Sequence, residues 1–211
     1  MDLQIIRGSH ETIPIFFDFV PRRTTSWANW VDEELSDGDF ARCLEWAGIL
    51  KSVAITRNLE GFRDIKGLRH LVCHWSLSLH MFFFSLGEFT IALEDMVNNF
   101  LLSMFGDESP FDIQLSAEDL AVKERLFKHF SGRSASSRGK PARMKKWVTT
   151  LSKENDKFVR QVGFLALWLS KFLFIEIPGY GAKSVFFHLA IRLARDTKYA
   201  LAPMFLSHVY S

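Results

Sequence analysis

"FFFSLGEFTIALEDM", Phe82–Met96, changes its periodicity within a few residues. Phe82 to Ser85 is apolar and aromatic, a composition that suits a pleated, half-buried strand. Leu86-Gly87-Glu88 reads as a turn, because glycine adopts positive φ without a Cβ penalty. Phe89, Thr90 and Ile91 are again strand formers, so the segment predicts a small β-hairpin over 82–91. After it the period becomes helical: Leu93, Val97, Phe100, Leu101 and Met104 form one apolar stripe. Glu94 and Asp95 fall in the first turn, where carboxylates meet the positive end of the helix dipole. Turn and capping chemistry therefore accounts for Glu88, Glu94 and Asp95 better than catalysis does.

Working outward, nearly every other periodic segment is helical. Residues 20–39 are polar and turn-rich and read as a connecting segment with a short helix at 28–35. Phe40, Leu44, Ala47 and Leu50/Lys51 predict a helix over 39–54. Leu68, Leu71, Val72 and Trp75 predict another over 63–75. Gly106, Asp107 and Pro110 break the chain. Ser116 followed by Glu118 and Asp119 then reads as a capping box opening a helix over 117–130. "SGRSASSRGK", residues 131–140, reads as a flexible loop. Further helices are expected at 142–152, 155–175 and 183–195, the second stopped by "IPGYG" at 177–181. The final "KYALAPMFLSHVYS" is apolar and ends abruptly, which suggests a C-terminally truncated copy of something longer. The expected fold is mainly α, with residues 1–38 as an N-terminal extension and 39–211 as one helical domain carrying the hairpin.

Composition narrows the function. Of 211 residues 48% are hydrophobic, with 21 Phe and six Trp, enough for a large aromatic core. A net charge of +2 is too small to imply nucleic-acid binding by itself. Cys43 and Cys73 fit no zinc spacing or disulfide framework and read as reduced, intracellular thiols. The N-terminus lacks the charge and apolar run of a signal peptide. "VGFLALWLSKFLFIEI", 162–177, is interrupted by Lys171 and reads as a buried helix, short of the roughly 20 apolar residues a bilayer needs.

Several catalytic readings fail on spacing. "PGYGAKS", 178–184, has Ala182 and Ile177 where a phosphate loop needs glycines. His70, Cys73, His74 and His80 lie close in sequence without an acidic fourth ligand, so no metal or cofactor is expected. No Ser-His-Asp or Cys-His arrangement has supporting local sequence. The segment "SGRSASSRGKPARMKKW", 131–147, carries Arg133, Arg138, Lys140, Arg143, Lys145 and Lys146 with no acid among them. It reads first as a solvated loop leading into a helix whose Trp147 is core, and second as a nuclear-import or phosphate-contacting patch whose Trp147 could stack on a base.

"LVCHWSLSLHMFFFSLGEFTIALEDM", 71–96, resembles the signature of the plant mobile domain, found in MAINTENANCE OF MERISTEMS-like nuclear proteins and in plant transposable elements. Leu71, Val72, Trp75, Phe82, Gly87, Glu88, Thr90, Leu93, Glu94 and Asp95 fit the family pattern. "EWAGIL", 45–50, is similar to an upstream family segment, and the resemblance extends from about residue 40 to the end. Departures are Cys73-His74 for Glu-Arg, Leu79 and Met81 for Thr, Ser85 for Pro and Ala92 for Thr. The last removes an N-cap hydroxyl, worth about 1 kcal/mol. The resemblance implies a nuclear, non-enzymatic protein acting in meristem maintenance, transposon silencing and gene expression through protein partners, including phosphatase-like ones. Exposed parts of 76–95 and the basic loop would be the contact surfaces. A nucleic-acid-binding module of a transposable element is the alternative. The family's "aminotransferase-like" label does not translate into chemistry here: a pyridoxal enzyme needs a large α/β scaffold.

Overall fold

The structure, a computed structural model, describes residues 25–58, 64–130, 143–175 and 181–210. The expected flexible loop at 131–140 and most of the Pro-Gly stop at 177–181 lie outside them. The chain is mainly α-helical, with one small antiparallel sheet.

The short helix expected at 28–35 is present and starts three residues earlier, but the reading of this segment as a connector is corrected. Thr25–Leu35 is a full helix, α1, and Trp27, Trp30 and Val31 on it are buried in the main core. The indole of Trp27 stacks on Phe164 and Phe172 at centroid distances of 4.9 and 4.8 Å. The helix expected over 39–54 is two helices, α2 (Gly38–Trp46) and α3 (Leu50–Thr56). Gly48 separates them at φ +73°. There Gly48 N–H donates to Glu45 O (3.0 Å) and Ile49 N–H to Leu44 O (2.9 Å). Both bonds belong to a Schellman stop, which glycine allows and most residues resist.

α4 (Ile65–Cys73) starts at Asp64, whose carboxylate accepts from Gly67 N–H at 2.9 Å. It stops short of Trp75, which opens a strand that the helical spacing concealed. The sheet runs β1 (Trp75–Ser76), β2 (Met81–Phe84), β3 (Gly87–Phe89) in that spatial order, antiparallel throughout. The next helix, α5 (Leu93–Asn99), ends before the Leu101 and Met104 of the expected stripe. The Ser52 hydroxyl of α3 reaches the carbonyls of Phe100 and, at 2.8 Å, Leu101, and Leu101 turns to φ +53°. A side chain distant in sequence thus ends a helix that local periodicity would continue.

α6 (Ala117–Phe130) begins at the expected capping box. Ser116 Oγ accepts from Asp119 N–H (3.1 Å), and Asp119 accepts in return from Ser116 N–H (3.4 Å). α7 (Met144–Leu151) follows, then α8 (Lys157–Trp168), whose last turn widens to π geometry over Leu169–Leu173. Residues 161–170 are buried without a break, so α8 is the axis of the core. No helix among the described residues is long and apolar enough to cross a membrane. Ser170 pins the widened turn by donating to Ala166 O (2.6 Å) and accepting from Lys183 N–H (2.8 Å). α7 lies so close to α8 that a Cβ on Gly163 would come within 2.5 Å of Leu151. A 3₁₀ turn at Ser184–Phe186 leads into α9 (Phe187–Leu193), and the apolar terminus forms α10 (Leu201–Val209).

One buried ion pair locks α1 to α8. Glu34 is fully buried, and its Oε1 accepts from Trp30 Nε1–H (2.9 Å) and Arg160 Nε–H (2.7 Å). Beside it Asp37 accepts from Gln161 (3.2 Å) and pairs with Lys157 (2.5 Å).

Candidate functional site

The hairpin forms a lobe hung between the end of α4 and the end of α10. His74 makes the first attachment. Its ring is buried, and because a carbonyl can only accept, Nδ1–H donates to Phe83 O at 2.7 Å. Phe83 N–H returns a bond to His74 O at 2.8 Å. This ring is therefore committed to structure. Its neighbour His70 touches it edge-on, at 4.9 Å between centroids. Among the described residues no group of three or more His, Cys, Asp or Glu is arranged to hold a metal ion.

Strand alternation places Trp75, Phe82, Phe84 and Phe89 on one face. Phe82 pairs with Trp75 on one side and Phe89 on the other. The rings touch in sequence: Trp75–Phe82 at 4.7 Å, Phe82–Phe84 at 6.3 Å and Phe84–Phe89 at 5.7 Å. Phe83 points to the opposite face and is buried. Gly87 is not in the turn, as its neighbours suggested, but opens β3 opposite Phe84. Its φ is +143°, and a Cβ there would meet nothing within 4 Å, so backbone conformation and not space demands glycine.

Thr90 makes the second attachment. Its hydroxyl donates to His80 O at 2.8 Å and lies 2.8 Å from the Tyr210 hydroxyl. Tyr210 also reaches Ile91 O, so its one proton serves two acceptors, and its ring stacks on Trp75 at 6.2 Å. The end of α10 thus clamps the base of the lobe. Tyr210→Phe should cost about 0.5–1.5 kcal/mol. Hydrogen exchange should locate the loss in residues 75–91; uniform acceleration across α8 instead would show that Tyr210 does not hold the lobe.

The motif carboxylates are local. Asp95 accepts from Ala92 N–H at 2.8 Å, half of a capping box, while Ala92 supplies no oxygen for the other half. Glu94 accepts from Asn98 at 3.4 Å, and Glu88 is exposed on β3. Leu93 is partly buried against the core.

Among the residues the lobe leaves in solvent are four large apolar ones. Leu77 is 68% exposed, Leu79 57%, Leu86 91% and Phe89 53%. All three residues of β3 are exposed, and β3 is an edge of the sheet.

Of the basic segment, Arg133, Arg138 and Lys140 lie outside the described residues. Arg143, Lys145 and Lys146 are exposed at the start of α7. Trp147 is not available to a base: it is 1% exposed, and its Nε1–H donates to Gly163 O at 2.9 Å.

Comparison with known proteins gives one match. The family model described as plant mobile domain covers residues 49–211. No curated protein and no solved structure matches the chain.

Proposed function

The chain belongs to the plant mobile domain family, and from that premise we propose that it is a non-enzymatic nuclear protein that works by binding protein partners through its hairpin lobe. The roles the resemblance implies are meristem maintenance, transposon silencing and control of gene expression, with a phosphatase-like protein as partner. The observation that carries the reading is the apolar side chains left in solvent on the lobe, Leu77 and Leu79 at one turn, Leu86 at the other and Phe89 on the edge strand. Exposed apolar side chains concentrated on one small element favour a protein interface over free solvent. The two attachments of the lobe, at His74 and Thr90, hold it in one shape before a partner arrives, which reduces the ordering cost of binding.

A second reading rests on Arg143, Lys145 and Lys146. Basic side chains in the first turn of a helix oppose its dipole, so their placement does nothing for α7 itself. It suits contact with phosphates.

One experiment separates the two readings. The full chain is used as bait in nuclease-treated plant nuclear extract, beside Leu86→Glu/Phe89→Glu and Arg143→Gln/Lys145→Gln/Lys146→Gln variants. A partner that survives nuclease and falls at least about tenfold with the lobe variant, at unchanged melting temperature, is the expected result. Recovery that disappears with nuclease and with the basic-patch variant would overturn the lobe reading in favour of nucleic acid.

A further inference from the structure

Away from the hairpin lobe, a groove runs along the outer face of α2. Two adjoining cavities of about 420 and 560 Å³ share Arg42 and Trp46 as walls. Trp46 is 73% exposed, whereas Trp27, Trp30, Trp147 and Trp168 are at most 1% exposed. A large indole so placed on a helix that buries Phe40 and Leu44 contributes nothing to the core.

The charges around it are unequal. Asp39 and Asp196 line the first cavity, and Glu45, Asp107 and Lys198 the second. With Arg42 that gives four carboxylates against two cations. Asp39 is neutralised by its pair with Arg42. No such side-chain bond or ion pair to another described residue occupies Glu45 or Asp107. Asp196 is exposed at φ +61°, a left-handed conformation that aspartate tolerates better than most residues, and its carboxylate lies beside the Cys43 thiol. Cys43, the remaining wall residue, donates to Leu193 O at 3.4 Å, and burial together with the neighbouring Asp196 carboxylate pushes its thiol up to about 12, which disfavours the thiolate.

We propose that the Trp46 groove is a second binding site, for a basic peptide segment of a protein partner that lays an Arg or Lys side chain on the indole. Trp46 offers its face to the cation, the strongest such face among the aromatic side chains. Glu45, Asp107 and Asp196 then neutralise neighbouring basic residues of the same segment. Nucleic acid does not suit the groove, because its phosphates would face a net excess of carboxylate. The site stands independently of the lobe: its residues belong to α2, the segment after α5 and the segment after α9.

The test uses the full chain and a defined probe, the peptide Gly-Arg-Gly-Arg-Gly-Arg, with Gly-Glu-Gly-Glu-Gly-Glu as control. Acrylamide quenching of tryptophan emission reads Trp46 preferentially, since the other indoles are at least partly shielded. The arginine peptide should protect the emission, with an affinity that weakens several-fold from low to physiological salt. Trp46→Ala should abolish protection and weaken binding, read by labelled-peptide anisotropy, about tenfold. Glu45→Lys/Asp107→Lys should do the same while leaving Trp46 quenchable. The lobe variant Leu86→Glu/Phe89→Glu should bind the peptide normally, so failure of the lobe reading and failure of this one are distinguishable. Equal binding of both peptides, undiminished binding by Trp46→Ala, absence of binding, or tighter binding of an oligonucleotide would each overturn the proposal.

Discussion

Trp27→Ala lowers the stability of the protein by about 3–5 kcal/mol, the range for deleting a fully buried tryptophan. The indole is stacked between Phe164 of α8 and Phe172 of the π turn and meets Trp30 edge-on at 6.1 Å. Its Nε1–H donates to Thr56 Oγ1 at 3.3 Å. Removal therefore leaves a cavity flanked by rigid rings that cannot collapse into it, and for a chain of this length melting falls by roughly 10 °C. Trp46→Ala is the control, with an expected change within about 0.5 kcal/mol because that ring touches little. If the two variants melt together, α1 is not part of the core. The same reasoning bears on the family match, which begins at residue 49. A fragment starting there lacks Trp27, Trp30, Phe40 and Leu44, all buried in the main core. Such a fragment should show no cooperative unfolding transition by circular dichroism, whereas the full chain should.

Arg160→Met should cost a similar amount, about 3–5 kcal/mol, through a different mechanism. Glu34 is 1% exposed and accepts both of its hydrogen bonds on Oε1, leaving Oε2 buried without a donor. Take away the guanidinium and an uncompensated carboxylate remains inside the protein. The double variant Glu34→Gln/Arg160→Met should recover a large part of the loss, because it removes the charge that Arg160 was answering. Chemical denaturation of the four proteins in the cycle decides it. Additive losses would mean that the two residues act separately and that the pair is not what joins α1 to α8. The corner also responds to acid. The hydrogen bond from Lys157 holds Asp37 below the usual carboxylate range, with burial acting against it. A depressed carboxyl adds stability that is fully present above its unfolded value, near 4, and is lost as pH falls through the folded value. Lys157→Met should therefore reduce the slope of stability against pH in that acid window while leaving it unchanged near neutrality.

The lobe shows how far local sequence carries. The aromatic run and the Gly-Glu pair specified a hairpin and placed β2, but the turn falls at Ser85-Leu86, so β3 runs Gly87–Phe89 and not over the expected Phe89–Ile91. β1 was hidden, since Trp75 continues an apparent helical stripe from Leu68. What converts Trp75 and Ser76 to strand is pairing with Met81 and Phe82 and the lock of His74 on Phe83. Likewise Gly48 carried a stop signal that the flanking apolar spacing outweighed, and Ser52 ended α5 from a helix more than 40 residues upstream.

Of the candidate site, Trp75, Phe82, Gly87 and Thr90 were identified through their resemblance to a family pattern, and the structure gives each a physical role. Tyr210 had no signal at all, because its partner Thr90 is 120 residues away. The exposure of Trp46 was equally invisible: its spacing from Phe40 and Leu44 differs little from that of the buried Ala47. By itself the sequence determined the mainly helical class, the hairpin, the capping box at Ser116 and the buried character of α8, all features fixed by propensity and periodicity over a few residues. Only the tertiary structure decided that α1 belongs to the core, which Trp reaches solvent and where the lobe is anchored. These depend on which surfaces meet after the chain has folded back on itself, and contacts between distant residues leave no period in a sequence.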